Sequence, residues 1–217
     1  MIAPWVVETV VHPAGCPIHV TGAESARPGG GRGADDRLEL RLLESLLSAT
    51  GHDAADRESM TRPGRLAVTH DRMGRPALLV DGRAGPAVSF TRSGGLLRAA
   101  LAHVHGLGID LADDAEFAGD YPRHRAFGPA ELALALAGVG GGMAAALLWA
   151  VKESVVKALG SGFHGVEPRA VAVGSIAPRH DGLVCGVRVD GRAGPIVAWA
   201  RREPSGWFAL TALDEVS

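Results

Sequence analysis

Apolar residues recur along the chain with two periods, and each period predicts one kind of element. A stripe at helical spacing, started by Asp36 as a cap, predicts a helix over 37–49; its members are Leu38, Leu42, Leu43, Leu46 and Leu47. Short β-branched or apolar runs predict strands at 3–11, 65–70, 76–80, 87–92 and 96–103. Asp81-Gly82 predicts a hairpin turn. Loops are predicted at 21–36 and 51–64.

A second alternating run begins at Gly106. Leu107, Ile109 and Leu111 alternate with Gly108 and Asp110, which predicts a strand with one apolar face and Asp110 on the other. A carboxylate inside such a strand is costly unless it is solvated, paired or bound to a cation. Asp110 is therefore a candidate functional residue.

Residues 132–151 form an uncharged run of 20, long enough in principle to span a bilayer. A cluster of glycines at 138–142 interrupts it, so two helices joined by a glycine-rich turn are the better interpretation. We predict helices at 129–137 and 143–159, the second ending at Gly160. A loop at 113–125 precedes them, and strands are predicted at 170–174, 182–189, 195–202 and 206–213.

The heptapeptide Val80–Pro86 recurs letter for letter as Val189–Pro195, about half a chain length later. An internal repeat at this distance suggests duplication, although Gly, Arg, Ala and Pro are common enough here for an accidental match. We predict an α+β fold of two similar halves in a pseudo-twofold arrangement, each an antiparallel sheet packed with helices. The halves are 1–105 and 106–217, and the second carries the candidate functional residues.

Composition narrows the possible functions. The net charge of −2 argues against a general nucleic-acid binder, because it provides no basic excess to neutralise phosphates. Cys16 and Cys185 show neither a disulfide framework nor metal-ligand spacing, which fits a reducing cytosol. The N-terminus lacks the basic region of a signal peptide. We expect a cytoplasmic, monomeric protein that binds neither nucleic acid nor membrane.

Lysine usage points to the helix at 143–159. Of the 22 basic residues, all but Lys152 and Lys157 are arginine, and lysine offers a compact charge that suits phosphate. Glu153 and Lys157 lie about 40° apart on a helix, so one face is expected to present a carboxylate between two ammonium groups. A simple i,i+4 ion pair of Glu153 with Lys157 is the alternative. If the strand of Asp110 packs beside this helix, the cluster suits a divalent cation and a polyphosphate.

These motifs resemble a known family. Gly108-Ile-Asp110, followed by Trp149-x-x-Lys152-Glu153-x-x-x-Lys157 and then by Gly160-x-Gly162, resembles the signature pair of 4′-phosphopantetheinyl transferases. Phe127-x-x-x-Glu131 and Gly74-Arg75-Pro76 resemble further elements of the larger, pseudo-dimeric (surfactin-synthetase-activating) type.

The resemblance implies Mg²⁺-dependent transfer of the 4′-phosphopantetheine arm from coenzyme A to a serine of an acyl or peptidyl carrier protein, releasing 3′,5′-ADP. It implies that the half 1–105 forms the coenzyme A side and the half 106–217 carries the metal and phosphate motifs. It also implies that Asp110 and Glu153 bind Mg²⁺, and that Lys152 and Lys157 contact phosphates. Lys157 would also stabilise charge at the attacked phosphate, and Arg75 would lie near the adenine end of coenzyme A. Either Glu153 or a metal-bound water would take the serine proton.

Two departures from the family pattern raise an alternative function. Ala112 stands where the family often has a second acid, so that either the metal has two protein carboxylates or Asp113 takes the place. The family's Ser-His-Ser element reads here Thr91-Arg92-Ser93, and Thr91 and Arg92 are expected to bind coenzyme A, since arginine still binds phosphate. The alternative is a degenerate family member that binds coenzyme A or a carrier protein without turnover.

The segment between the two motifs is a candidate docking surface. Arg123, His124 and Arg125 are candidates for contact with an acidic carrier protein, and an ordinary surface loop is the other interpretation. His103 and His105, on one face of a predicted strand, make a metal pair conceivable.

Overall fold

The computed structural model describes residues 6–24, 32–50, 65–119 and 121–214, which form antiparallel sheets and helices. The strands are β1 (Glu8–Val11), β2 (Pro17–Glu24), β3 (Leu66–His70), β4 (Pro76–Val80), β5 (Arg83–Ala84), β6 (Ala87–Ser93), β7 (Leu96–Ala102), β8 (Gly106–Asp113), β9 (Val171–Arg179), β10 (Gly182–Val189), β11 (Ile196–Arg202) and β12 (Gly206–Leu213). The α-helices are α1 (Arg32–Ala49), α2 (Arg123–Ala126), α3 (Pro129–Val139) and α4 (Ala144–Leu159). The predicted α+β class is confirmed.

The described strands form three antiparallel sheets. The first has the order β1-β2-β7-β6, the second β8-β12-β11-β10-β9, and β3-β4-β5 form a small third sheet. The predicted hairpin is confirmed, since Val80 pairs with Arg83 across the two residues Asp81 and Gly82, both at positive φ. All strands of the second sheet follow residue 105. The division into halves 1–105 and 106–217 is compatible with this separation and stays a prediction.

The order β2-β7-β6 in the first sheet corresponds to β8-β12-β11 in the second. Helix α1 packs on β2 and β7, as α4 packs on β8 and β12. The two copies of the repeated heptapeptide precede the first strands of the hairpins β6–β7 and β11–β12. Their conformations differ, because Asp81 has a positive φ and Asp190 does not. This recurrence is what duplication predicts, and the pseudo-twofold relation itself stays a prediction.

Three clusters of buried side chains hold the elements together. One lies between α1 and the first sheet, and it contains Leu42, Leu43 and Leu46 of the predicted stripe. The second joins the two large sheets and includes Ile109 of β8. The third packs α4 and α3 on the other face of the second sheet. Strand β8 is therefore covered on both faces, by the first sheet and by α4.

Several predicted boundaries were wrong. Thr21–Glu24 belong to β2, where pairing with β7 outweighs the local loop-like composition. Helix α1 begins at Arg32, so Asp36 lies within it and is not its cap. The predicted loop at 113–125 contains a 3₁₀ turn, Asp114–Phe117, and the single turn of α2. Strand β9 continues to Arg179 because β10 supplies a partner along its whole length.

The uncharged run is two helices, as predicted. Helices α3 and α4 meet at 116° across Gly140–Met143. Within the described parts of the chain, no single helix is long and apolar enough to cross a membrane, although this bent pair passes the same test by length and composition. The predictions for 3–5, for 25–31 and for the loop at 51–64 lie outside the described residues.

Candidate active site

Helix α4 lies directly on strand β8 because glycines face it. A Cβ added to Gly108 would be 1.9 Å from the carbonyl oxygen of Ser154, and one added to Gly106 would be 2.3 Å from that of Ala158. Such distances leave no room for a side chain, so the two backbones are in contact. Successive even-numbered residues of a strand share one face, and Asp110 therefore also faces α4.

The Asp110 carboxylate forms an ion pair with Lys157. Lys157 Nζ donates to Asp110 Oδ1 at 2.7 Å and to the carbonyl oxygen of Ile109 at 3.1 Å. Thr91 Oγ1 donates to the same Oδ1 at 3.0 Å. Lys157 forms this ion pair with Asp110 and, within the described part of the chain, none with Glu153, so the alternative of an i,i+4 pair is wrong. The pairing joins residues 47 positions apart, which helix periodicity alone does not reveal.

Glu153 lies half-buried on the same helix, within electrostatic range of both partners. Burial raises the pKa of Glu153; the Lys157 ammonium opposes this shift, and the Asp110 carboxylate adds to it. The structure thus brings two carboxylates and one ammonium together, as the sequence suggested.

Glu153 and Lys157 line a cavity of about 520 Å³, and Asp110 is connected to it through its ion pair with Lys157. It opens between the β3–β4 turn, β6 and α4, and its walls include Arg75, Phe90, Trp149, Glu153, Lys157 and Phe163. Trp149 and Phe163 pack with ring centroids 5.1 Å apart. The cavity combines positive charge, the carboxylates of Glu39 and Glu153, and apolar walls, a mixture typical of ligand sites.

Arg75 closes one side of this cavity against the end of α4. Its Nη2 donates to the carbonyl oxygen of His105 at 3.1 Å, and its guanidinium lies over Gly160. Gly160 ends the helix in a left-handed conformation, as predicted, and a Cβ there would be 2.9 Å from Arg75 Nη1. Glycine at this position therefore serves both the helix end and the approach of the arginine.

Lys152 does not reach the cavity. Its side chain is fully buried, and Nζ donates to Glu131 Oε1 at 2.6 Å and to the carbonyl oxygens of Ala126 and Pro168 at 2.8 and 2.9 Å. Burial lowers the pKa of Lys152, and the ion pair with Glu131 opposes that shift. The expected helix face with a carboxylate between two ammonium groups is therefore wrong, because five residues at about 100° each turn Lys152 about 140° away from Lys157.

Glu131 is the structural partner that Lys152 needs. Its Oε1 also accepts from the backbone N–H of Gly128 at 2.7 Å, and its Oε2 from that of Val173 at 2.9 Å. One buried carboxylate thus ties the start of α3 to α4 and β9. The sequence drew attention to Glu131 only through a family resemblance, although its position three residues after Gly128 is a capping-box spacing.

Strand β6 supplies hydroxyl groups to the edge of β8. Ser89 Oγ accepts from the N–H of Ile109 at 3.0 Å, and Thr91 Oγ1 accepts from that of Leu111 at 3.1 Å. Thr91 is thus occupied by β8 and Asp110. This role was not predicted, although the i,i+2 spacing of Ser89, Thr91 and Ser93 places their side chains on one face of the strand. Arg92 faces the opposite side of β6, is exposed, and does not line the cavity.

Neither acid that follows Ala112 in the chain takes the place of the acid that the family often has at this position. Ala112 is 1% exposed and packs in the core beneath α4. Asp113 Oδ1 accepts from the N–H of Ala115 and so caps the 3₁₀ turn, while Asp114 pairs with Arg202. In the described part of the chain, no group of three Asp, Glu, His or Cys side chains is arranged to hold a metal ion. His103 and His105 lie in the bend between β7 and β8, so the expectation that they share a strand face is wrong.

Two carboxylates nevertheless fit one kind of metal ion. Mg²⁺ is commonly held by one or two carboxylates, with water and phosphate oxygens in the remaining positions. Asp110 and Glu153 provide that number of carboxylates, and Glu153 lines a cavity that also offers cations for phosphate.

Residues 106–184 match the family model described as the 4′-phosphopantetheinyl transferase superfamily. The matched segment runs from β8 into β10 and contains Asp110, Glu153 and Lys157. A comparison with curated proteins gives no match. The family match indicates phosphopantetheine transfer in general, a reaction in which this family takes coenzyme A as substrate and acts on carrier proteins.

Proposed function

We propose, from the match over residues 106–184, that the protein transfers the 4′-phosphopantetheine arm of coenzyme A to a serine of an acyl or peptidyl carrier protein. The reaction is Mg²⁺-dependent and releases 3′,5′-ADP. We further propose that the chain is of the larger, pseudo-dimeric type. The corresponding strand orders of its two large sheets support this assignment.

One observation carries the proposal: the Asp110–Lys157 ion pair at 2.7 Å, with Glu153 beside it at the cavity. Phosphoryl transfer requires charge neutralisation and positioning more than covalent chemistry by the protein. Lys157 retains 29% side-chain exposure, so its ammonium is accessible from the cavity while Asp110 holds it in place. A phosphate oxygen entering the cavity would meet a cation that is already oriented.

Each residue has a distinct role in this proposal. Lys157 neutralises the phosphate charge that develops as the arm leaves 3′,5′-ADP, and Arg75 contacts the adenine-nucleotide end from the opposite wall. Asp110 and Glu153 would hold Mg²⁺, which supplies charge neutralisation of the pyrophosphate when bound. Lys152, Thr91 and Arg92 do not line the cavity, so we assign them no contact with coenzyme A.

The serine proton also needs an acceptor. As the serine Oγ–P bond forms and the P–O bond within the pyrophosphate breaks, we propose that Glu153 takes the hydroxyl proton. Glu153 lines the cavity, and a carboxylate positioned there can act as the general base.

The test is mass spectrometry of purified apo carrier proteins incubated with the protein, coenzyme A and Mg²⁺. The proposal expects a mass gain of one phosphopantetheine arm on a carrier serine, and no gain when Mg²⁺ is chelated. Lys157→Met is expected to reduce turnover by about 10²- to 10³-fold, the typical loss when one charge-stabilising group is removed. Absence of transfer to every carrier in a broad panel would contradict the proposal.

A second candidate function is supported by Ala112. Ala112 stands where the family often has a second acid, and its side chain is buried in the core. The candidate site therefore has one acid fewer than the family pattern. The candidate is a module that binds coenzyme A or a carrier protein without turnover. Calorimetric titration with coenzyme A combined with the mass-spectrometric transfer assay distinguishes the two functions, because the module binds coenzyme A but modifies no carrier, whereas the enzyme does both.

A further inference from the structure

Strand β8 lies at the end of the second sheet, and hydroxyl groups of β6 satisfy its outer edge. Among the described strands, only β12 pairs with β8 in that sheet. On the other edge, the backbone N–H groups of Ile109 and Leu111 donate to Ser89 Oγ and Thr91 Oγ1. A buried N–H group without an acceptor would be costly. The backbone of β8 therefore holds the Thr91 oxygen in place.

The Thr91 hydroxyl group can donate in one direction only. A backbone N–H group can only donate, so Thr91 Oγ1 is the acceptor in its bond with Leu111. The single hydroxyl proton is therefore directed to Asp110 Oδ1, 3.0 Å away. Thr91 is β-branched and 5% exposed, which restricts its rotamers. The packing of β6 on β8 thus prearranges the bond to Asp110.

Both donors to the Asp110 side chain use the same oxygen. Lys157 Nζ also donates to Oδ1, at 2.7 Å. Within the described part of the chain, Asp110 Oδ2 accepts no hydrogen bond. A carboxylate that binds a metal ion is commonly held by hydrogen bonds from neighbouring groups. Two donors therefore orient one oxygen of Asp110, and the other oxygen is left for a ligand.

Thr91 and Lys157 differ in what happens to their bonds when a substrate enters. Lys157 lines the cavity and is proposed to meet the phosphate groups of coenzyme A, so the substrate competes with Asp110 for its ammonium group. Thr91 is buried and does not line the cavity. Its bond to Asp110 therefore persists when the cavity is filled.

We propose that Thr91 is a positioning residue for metal binding: its hydroxyl holds Asp110 Oδ1 so that Oδ2 stays available to a divalent cation. This inference rests on the proposed function, and it links β6 of the first sheet to a candidate metal ligand on the second. Groups that hydrogen-bond metal ligands typically contribute about 10- to 100-fold to metal affinity.

The test measures the affinity for Mn²⁺ in the presence of coenzyme A, by electron paramagnetic resonance of the unbound ion. Mn²⁺ prefers the same oxygen ligands as Mg²⁺, and coenzyme A without protein is the blank. Thr91→Val removes the hydroxyl and keeps the shape of the side chain, whereas Thr91→Ser keeps the hydroxyl. Thr211→Val is the matched control, because the Thr211 hydroxyl is fully buried on the second sheet and contacts Ser154. Thermal unfolding verifies the fold of each variant.

Thr91→Val is expected to weaken Mn²⁺ binding about tenfold or more, and Thr91→Ser and Thr211→Val to stay within about twofold of the wild type. Calorimetric affinity for coenzyme A without metal is expected to stay unchanged in all three, because none of them alters the cavity wall. Equal Mn²⁺ affinities of the two valine variants would overturn the proposal. An equal loss of metal-free coenzyme A affinity in Thr91→Val would also overturn it.

Thr91→Cys provides the comparison if Thr91→Val does not fold. Cysteine and serine differ here in one atom, and a thiol is a weaker donor than a hydroxyl. Lower Mn²⁺ affinity in Thr91→Cys than in Thr91→Ser supports the positioning role, and equal affinities contradict it.

Metal binding and transfer together separate failure of this inference from failure of the proposed function. If the wild type binds Mn²⁺ with coenzyme A but modifies no carrier protein, the transferase proposal fails, and the Thr91 variants still decide the positioning role. If the wild type transfers the arm while Thr91→Val keeps full Mn²⁺ affinity, this inference alone fails. Absence of Mn²⁺ binding by the wild type, or binding that Asp110→Asn leaves unchanged, also overturns it.

Discussion

Replacing Lys152 with methionine leaves the Glu131 carboxylate buried without its cation. The two side chains are 0% and 4% exposed, and their charged atoms are 2.6 Å apart. Methionine keeps the length and apolar stem of lysine, so the change removes the charge and three hydrogen bonds with little loss of volume. Removing one partner of a buried ion pair typically costs about 3–5 kcal/mol. The total stability of a domain is about 5–15 kcal/mol, so we expect the loss of a large part of it.

The measurement is urea unfolding followed by circular dichroism at 25 °C. Lys152→Met/Glu131→Gln is the comparison, because it removes both charges and leaves an acceptor for the Gly128 N–H. We expect the double variant to be more stable than Lys152→Met by at least about 1 kcal/mol, as coupled neighbours show. Lys157→Met serves as the matched control on the same helix. It is expected to cost less, because Lys157 retains contact with solvent.

Two results would refute this reasoning. A loss below about 1 kcal/mol for Lys152→Met would show that the buried pair is not a structural support. A folded Lys152→Met protein of nearly unchanged stability that no longer binds coenzyme A would restore the phosphate role first expected for this lysine. Calorimetric titration with coenzyme A distinguishes the second result from simple unfolding.

Two further predictions concern the contacts between elements. Gly108→Ala is expected to destabilise the fold by at least about 1–3 kcal/mol, the usual cost of overpacking, because its Cβ would be 1.9 Å from the Ser154 carbonyl oxygen. Gly138→Ala is the control. It is expected to stabilise the fold slightly, because this exposed helical position has open space around it. Equal denaturation midpoints for the two variants would contradict the contact. Burial lowers the pKa of His12, whose Nδ1 accepts from the Ala14 N–H, so its neutral form favours folding. This contribution to the free energy of unfolding is present above the unfolded pKa of about 6.5 and is lost as pH falls through the lower folded pKa. The midpoint of urea unfolding is measured as a function of pH, and it is expected to fall less steeply with decreasing pH in His12→Gln than in the wild type. Identical slopes would rule out this contribution.

Much of the fold can be predicted from local patterns in the chain. The period of apolar residues indicated α4 and β8, Asp81-Gly82 indicated a two-residue hairpin, and Gly160 marked the end of a helix. These features depend on neighbours a few residues away, through side-chain periodicity and allowed backbone angles. Boundaries were less predictable where a distant strand supplied the partner, as for Thr21–Glu24.

The partners of the two lysines, and therefore their roles, depend on how elements distant in the chain pack against α4. Both are on α4, and residue types and spacing singled out both. Close packing on Gly106 and Gly108 brings Lys157 to Asp110, whereas the rotation of the helix directs Lys152 toward Glu131 in the core. Sequence shows which residues can carry charge, but the environment of each charge is set by whatever packs around it. That is why the same side-chain type is a candidate catalytic group at one position of this helix and a buried support at the other.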